Sequence, residues 1–528
     1  MISNGVIKLY KDSTYCYMDV FKYSIYILFD VVHRNCDHRF RCVGILGLIL
    51  SSMLVVACTG LDTLRPSIHH KNVDPTPLYD MCSDLYMSLN KTISAHGVHD
   101  AQASVIRGFP YLRTNRVLSA LALVADDDQL SFLLRQMVTL GRESSFIEIA
   151  NLPANAKVGY WLVIECTRYL MKFDFGNKTN LRNLREAIKI PTAYSNTSRI
   201  FGLYPLASII FSVGTERLHR NQQLVFDQES KMLKVDGELR SYSPRGAGVQ
   251  LSHEVIRNIL RKSRANAVSL PVPNPSDLQR LFRHYAPIWE VDTVDRSDQI
   301  GSIIFGSADQ PEVNPEAVVT YTLASHAVID GEVYLQLSYI IWFSERPSKA
   351  LLDLFGGRLD GITWRVTLDH DGGIMLYDAI HNCGCYHVVM PTDRVELVNR
   401  KIDFEEPLFV PMSLRENQGR IVIRLSSADH HIQNVYFDST ERRSYRYALV
   451  SYNALRSLPL ENGGHRSLFA PSGLIKGTER LERWLFWPSG VLKPGSMRQW
   501  GTQAIAFVGQ RHFDGAYWID KYFDKRAP

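Results

Sequence analysis

The chain has 528 residues, of which 45% are hydrophobic and 21% are charged, and its formal net charge is +5. This composition is that of an ordinary globular protein with room for two or three domains, and it argues against a disordered or collagen-like chain. The positive charge is small and scattered, without a dense Lys/Arg block, so we expect no nucleic-acid partner.

An uncharged apolar run lies near the N-terminus. Residues 42–57, CVGILGLILSSMLVVA, follow a basic segment and end directly before Cys58. This order of basic, apolar and small residues is typical of an export signal, so residues 1–57 are interpreted as a signal peptide. A membrane anchor is the alternative, but the uncharged run ends at Leu61 and barely reaches the ~20 residues that a span needs. One interpretation of the long N-terminus is that residues 1–31 are an over-extended gene start.

The end of this segment, Val55-Val56-Ala57-Cys58, resembles the lipobox of bacterial lipoproteins. The resemblance implies that the peptide is cut before Cys58, and that the thiol and the new amino group are acylated. Each buried methylene adds about 0.8 kcal/mol, so several chains on one residue hold a protein at the membrane. An envelope address facing the periplasm follows, and Thr59, in place of a retaining aspartate, favours the outer membrane. Residues 58–75 are then the lipidated cysteine and a tether.

Residues 76–270 carry apolar side chains at helical spacing and predict a mainly helical domain. Thr76-Pro77 opens the first helix, with an N-cap followed by proline in the first turn. Cys82 lies on the apolar stripe of that helix, and Cys166 lies in a later buried helix. Both are interpreted as core thiols, because a free cysteine usually packs as a small apolar residue.

Residues 276–528, beyond the proline-rich boundary Pro271–Pro275, predict a different architecture. Asp330-Gly331 and Asp371-Gly372-Gly373 each separate two strand-forming runs, and such turns are strong hairpin signals. The last stretch, Thr478–Phe523, predicts short helices and loops. The fold class expected is therefore α+β, with a helical N-terminal domain followed by a mainly antiparallel β-sheet domain.

Several stretches of the C-terminal half, among them YAPIWEVD, QLSYIIWFSERP, IHNCGCYH and FVGQRHFD, resemble uncharacterised envelope proteins of Gram-negative bacteria. The resemblance implies an envelope address. It implies no activity, so candidate chemistry has to be found in the residues themselves.

The segment 380–388, IHNCGCYHV, places His381, Cys383, Cys385 and His387 at strict alternation. On an extended strand all four side chains would point to one face. The two histidines would then be about 20 Å apart, at ~3.3 Å per residue. Because zinc ligands lie about 2.0–2.3 Å from the metal, a straight segment cannot supply four ligands to one ion.

A metal site built on this segment needs additional ligands from other strands. Zinc or another divalent transition metal would suit imidazole and thiolate ligands. The candidate ligands are His326, His381, Cys383, Cys385, His387 and His430.

Three further interpretations of the segment stay open. Cys383 or Cys385 could act as a nucleophile, with His381, His387 or His326 as base. The two cysteines could instead form a disulfide, which would be strained and easily reduced. The alternation could also simply line a core face.

We therefore expect a lipid-anchored cell-envelope protein with a structural or binding role, attached to the membrane through its lipid and able to bind a protein partner. The alternative is a periplasmic metal- or thiol-dependent hydrolase-like enzyme centred on His381–His387.

Overall fold

The computed structural model describes residues 76–526 apart from 177, 247–249, 307–309, 349–352, 399–404, 416–418, 441–442 and 462. The predicted signal peptide, the lipidated Cys58 and the tether lie outside the described residues. Within the described part of the chain, none of the helices combines the length and the apolar character needed to cross a membrane.

Seven helices precede the first strand of the large sheet in the described part of the chain. Thr76 caps the first helix, because its side chain accepts a hydrogen bond from the Tyr79 N–H, and Gly97 ends it in the left-handed conformation. The helices are α1 (Pro77–His96), α2 (Arg116–Val124), α3 (Asp127–Ala150), α4 (Tyr160–Asp174), α5 (Lys178–Ala187), α6 (Asn196–Phe201) and α7 (Tyr204–Phe226). A short hairpin, β1 (Ser104–Ile106) and β2 (Phe109–Thr114), lies between α1 and α2.

A disulfide joins the first helix to the fourth. Cys82 of α1 and Cys166 of α4 are bonded, with their Cα atoms 5.1 Å apart, and each is 2% exposed. Their predicted burial is confirmed, but their interpretation as free core thiols is wrong. The two residues are 84 positions apart in the sequence, and only the packing of α1 against α4 brings them together.

A ten-stranded sheet forms the centre of the molecule, in the order β11-β10-β9-β8-β7-β15-β3-β4-β13-β14. Its strands are β3 (Glu238–Pro244), β4 (Ile288–Thr293), β7 (Val319–Ile329), β8 (Glu332–Arg346), β9 (Gly357–Leu368), β10 (Ile374–His381), β11 (Val388–Pro391), β13 (Arg420–Leu425), β14 (Ile432–Asp438) and β15 (Tyr445–Ser451). Most neighbours are antiparallel, whereas β15 runs parallel to β3 and β7, and β13 runs parallel to β4.

Both predicted hairpins are present. Asp330 and Gly331 take positive φ values of 50° and 75° between β7 and β8, which suits a tight turn joining twisted strands. Asp371-Gly372-Gly373 lies between β9 and β10 in the same way. The fold is thus α+β with a large, mostly antiparallel sheet.

Smaller elements surround the sheet. They are α8 (His253–Ser263), α9 (Pro275–Tyr285), α10 (Arg483–Phe486), α11 (Trp518–Tyr522), β5 (Ser302–Phe305), β6 (Pro311–Asn314), β12 (Val395–Leu397), β16 (Leu458–Pro459), β17 (His465–Arg466) and β18 (Phe523–Lys525). Short helices and loops after Thr478 therefore pack on the sheet, as the sequence predicts.

Buried ion pairs connect the helical half to the C-terminal half. Arg116 of α2 contacts Asp514 at 2.5 Å, and Asp100 contacts Arg456 at 2.5 Å.

Strand β3 also connects the two halves. It lies within the segment predicted to be mainly helical, yet it pairs with β4 and β15 at the middle of the sheet. The two halves thus share the sheet and its core.

Candidate functional site

The cysteine segment forms a turn at the end of β10. The strand ends at His381, whose N–H donates to the Cys385 carbonyl at 2.9 Å, and the Gly384 N–H donates to the His381 carbonyl at 2.7 Å. Gly384 and Tyr386 take positive φ values of 94° and 60°. The predicted alternation along one strand is therefore wrong, because these two residues reverse the chain before β11 begins at Val388.

Close packing fixes this turn. A Cβ atom at Gly384 would lie 2.8 Å from the Ala504 carbonyl oxygen, so glycine is required by space as well as by φ. Asn382 accepts a hydrogen bond from the Thr363 hydroxyl at 2.7 Å, and its backbone carbonyl accepts one from the Arg498 N–H at 3.1 Å. Both cysteines are consequently held in one defined position.

The turn forms one wall of a cavity of about 140 Å³. Cys383, Cys385 and His387 line it from the turn, and Glu482 lines it from the segment before α10. The other walls come mainly from α7, α10 and the segment around 504–507, and they are largely apolar. Their main contributors are Phe211, Leu218, Leu485, Phe486, Ile505 and Phe507.

Cys383 and Cys385 are free thiols in this structure, so the disulfide that the sequence left open is not formed. The adjacent Cys385 thiol is the main reason that the pKa of Cys383 falls to about 6, and the nearby Arg480 guanidinium contributes. Interaction with Cys383, together with burial, raises the pKa of Cys385 well above its usual value. The pair therefore contains one thiolate and one thiol at neutral pH.

Glu482 supplies a proton-carrying group in the same cavity. Burial and the negative charge of Cys383 raise the pKa of its carboxyl to about 8, despite the opposing charges of Arg480 and Arg498. A carboxyl group with such a pKa is protonated near neutral pH and can give up or accept a proton during a reaction.

His387 is held by a buried carboxylate behind the cavity wall. Its Nε2 lies 3.1 Å from Asp378, which makes two further hydrogen bonds, at 2.9 and 2.5 Å, to Arg365. Burial lowers the pKa of His387 to about 4, so its ring is neutral. Its Nδ1 is buried and has no hydrogen-bond partner among the described residues.

Two other predicted site histidines belong to a buried ionic cluster. His430 lies 2.9 Å from Asp360 and 3.3 Å from Asp298. Burial favours its neutral ring, but the hydrogen bonds to both carboxylates outweigh burial and raise the pKa of His430. His381 lies 3.5 Å from Asp360, which also lies 3.3 Å from Arg480. Both histidines thus lie against the buried carboxylate of Asp360.

The structure does not assemble the predicted metal site. His326 bonds to the backbone carbonyl of Pro271 at 2.7 Å, away from the cysteine turn. Across the described residues, no group of three or more His, Cys, Asp or Glu side chains is arranged to hold a metal ion. The turn separates the four side chains of the motif, while His326 and His430 are hydrogen-bonded to the Pro271 carbonyl and to Asp360.

Sequence reasoning identified Cys383, Cys385 and His387 but missed Glu482 and its neighbouring arginines. Glu482 lies about a hundred residues further along the chain, in a stretch, TERLERW, without any catalytic pattern. Its role depends on burial next to Cys383, which has no sequence signature.

Compared with known proteins, the chain matches no protein-family model, no curated protein and no solved structure.

Proposed function

We propose that this protein is a lipid-anchored bacterial cell-envelope protein that carries out thiol–disulfide exchange. One observation carries the proposal: a thiol of lowered pKa, a second thiol and a carboxyl of raised pKa, from Cys383, Cys385 and Glu482, line one cavity. A hydrolase would need a single nucleophile, whereas exchange needs two thiols that react in turn.

The disulfide between Cys82 and Cys166 supports the proposed address. Disulfides form and persist in oxidising compartments such as the periplasm and are rare in the cytosol of most bacteria. The lipobox ending at Cys58 implies the same compartment. Together they favour a protein attached to the outer membrane through its lipid and facing the periplasm.

The first chemical step is attack by the Cys383 thiolate on one sulfur of a small disulfide. A mixed disulfide forms, the substrate S–S bond breaks, and the departing thiolate takes the proton of Glu482. The Glu482 carboxylate then accepts the proton of Cys385. The new Cys385 thiolate attacks the Cys383 sulfur, which closes the protein disulfide and releases the second substrate half as a thiolate.

This sequence transfers two electrons from the protein pair to the substrate disulfide. A disulfide across a single residue is strained and easily reduced, so the equilibrium favours the reverse reaction, in which the oxidised pair accepts electrons from a dithiol. This reverse reaction uses the same groups. The cavity volume limits the reacting partner to a small molecule or a single side chain.

The reactivity of Cys383 tests the proposal. Reduced protein is alkylated with iodoacetamide at a series of pH values, and modified cysteines are mapped by mass spectrometry. We expect a midpoint for Cys383 near pH 6, as against the ordinary ~8.5 of a free cysteine. Oxidation with glutathione disulfide should then remove two hydrogens at the Cys383–Cys385 peptide.

Two variants separate the roles of the thiols. Cys385→Ser should stop the reaction at a mixed disulfide with glutathione on Cys383, whereas Cys383→Ser should give no adduct. The disulfide between Cys82 and Cys166 serves as an internal control, since it should stay intact. A Cys383 midpoint near pH 8.5, or the absence of any Cys383–Cys385 disulfide, would contradict the proposal and leave a structural or binding role.

A further inference from the structure

The outer face of α6 and α7 exposes a continuous series of large apolar side chains. Leu206, Ile209 and Val213 of α7 are 64%, 63% and 61% exposed. Their spacing of three and four residues places them on one face of the helix. The adjoining α6 and the residue that follows its C-cap extend this surface. The additional exposed residues are Ile200, Phe201 and Leu203.

The same helix lines the thiol cavity from its other side. Phe211 is 6% exposed, and its ring lies 5.5 Å from that of Phe486 and 6.0 Å from that of Phe507. Ile210 both lines the cavity and is 36% exposed. The apolar outer face and the apolar cavity are therefore two sides of one helix.

The short helix packed beside α7 continues the apolar surface. Trp484 of α10 is 58% exposed, with the Arg483 guanidinium 4.9 Å from its ring centre, and the preceding Leu481 is 41% exposed. An exposed tryptophan beside a basic side chain is typical of a protein surface that contacts lipid headgroups. Exposed apolar patches of this kind mark interaction surfaces.

We propose that this surface docks onto the phospholipid bilayer, and that the cavity admits an apolar group from a membrane-resident molecule to Cys383. The proposed lipid anchor at Cys58 would keep the protein close to the bilayer. Residues 58–75, between Cys58 and α1, can span at most about 60 Å at ~3.4 Å per residue. A protein held within this distance of the membrane meets the bilayer more often than any other apolar partner.

The cavity fits only a small part of such a molecule. An apolar cavity of about 150 Å³ excludes water and accepts a guest the size of benzene, and the volume here is about 140 Å³. The assignment of membrane-resident molecules as the substrate class rests on the proposed thiol function. The docking surface rests on the exposed face of α6, α7 and α10, and the choice of the bilayer as its partner rests on the proposed lipid anchor at Cys58.

Photochemical labelling tests the docking. The mature lipidated chain is reconstituted into vesicles of phosphatidylethanolamine and phosphatidylglycerol that contain a phospholipid with a diazirine in its acyl chain. After irradiation, adducts are mapped by mass spectrometry. We expect adducts within residues 200–213, at Trp484 and on the cavity wall at Phe486. No adducts in residues 200–213 would overturn the proposal.

A matched pair of variants gives the control. Leu206→Asp/Ile209→Asp should lower the adduct yield in residues 200–213 about tenfold or more, because two apolar side chains no longer enter the lipid. Val124→Asp, at a still more exposed apolar position on α2, should leave the yield unchanged. Thermal unfolding of each variant verifies that it is folded. An unchanged yield in the folded α7 variant would also overturn the proposal.

The outcome separates this inference from the proposed function. Alkylation and oxidation of Cys383 are measured on the same protein without vesicles. Thiol reactivity without lipid adducts leaves the proposed function in place and refutes bilayer docking. Lipid adducts without a shifted Cys383 midpoint support docking and remove the thiol chemistry along with its substrate class.

Discussion

The disulfide between Cys82 and Cys166 should be the largest single covalent contribution to the stability of the helical region. The perturbation is the double substitution Cys82→Ala/Cys166→Ala. Because the bonded residues are 84 positions apart, the loss of loop-closure entropy in the unfolded chain corresponds to about 4.5 kcal/mol at 25 °C. Both sulfurs are buried among core side chains, so the alanines also leave unfilled space, which adds to the loss.

Urea denaturation followed by circular dichroism measures this loss. We expect a lower transition midpoint and a steeper dependence on urea, because an unfolded chain without the cross-link exposes more surface. Cys383→Ala/Cys385→Ala is the control, since it removes two thiols without opening a loop, and it should cost far less. A loss below about 1 kcal/mol in the Cys82 variant would refute the entropic reasoning. Rapid alkylation of Cys82 in the native protein would refute the disulfide itself.

Three further predictions concern the walls of the cavity. Arg365→Leu should lower the free energy of unfolding, measured by urea denaturation, by about 3–5 kcal/mol, because it leaves the Asp378 carboxylate buried without its arginine partner. The double variant Arg365→Leu/Asp378→Leu should recover part of this loss. His387, with a folded pKa of about 4 against ~6.5 when unfolded, binds its proton more weakly in the folded state. As the pH is lowered from 6.5 to 4, the free energy of unfolding should therefore fall by up to ~1.4 kcal/mol per pH unit. If the free energy of unfolding of His387→Gln showed the same dependence on pH as that of the unchanged protein, this reasoning would be contradicted. Gly384→Ala should destabilise the protein by about 1–2 kcal/mol, because alanine is strained in the left-handed backbone conformation of this residue. It should also raise the pH midpoint of Cys383 alkylation. An unchanged midpoint would show that the turn does not hold the two thiols together.

The site owes its chemistry to the contrast between its apolar walls and a few charged groups. In water, Cys383 and Glu482 would titrate near their ordinary values. Within the cavity, burial raises the pKa of Glu482, while the adjacent Cys385 thiol and the Arg480 guanidinium lower the pKa of Cys383. The same surroundings thus favour the charged form of one group and the neutral form of the other, which is the arrangement that proton transfer requires.

Local features of the sequence predicted the local structure correctly. The cap at Thr76 and the hairpins at Asp330-Gly331 and Asp371-Gly372-Gly373 all depend on contacts within a few residues.

The tertiary structure decided what lies far apart in the sequence. The alternation of His381, Cys383, Cys385 and His387 indicated a strand, but a turn is formed because contacts with Thr363, Arg498 and the 504 region outweigh the local pattern. The Cys82–Cys166 bond depends on how two helices pack, and β3 joins the sheet although its surroundings are helical. The sequence by itself determined that the two cysteines of the motif are neighbours, and its export-type N-terminus stays a prediction. Only the fold determined that those cysteines face Glu482 in an apolar cavity, because burial, which sets their protonation, is a property of the packed molecule.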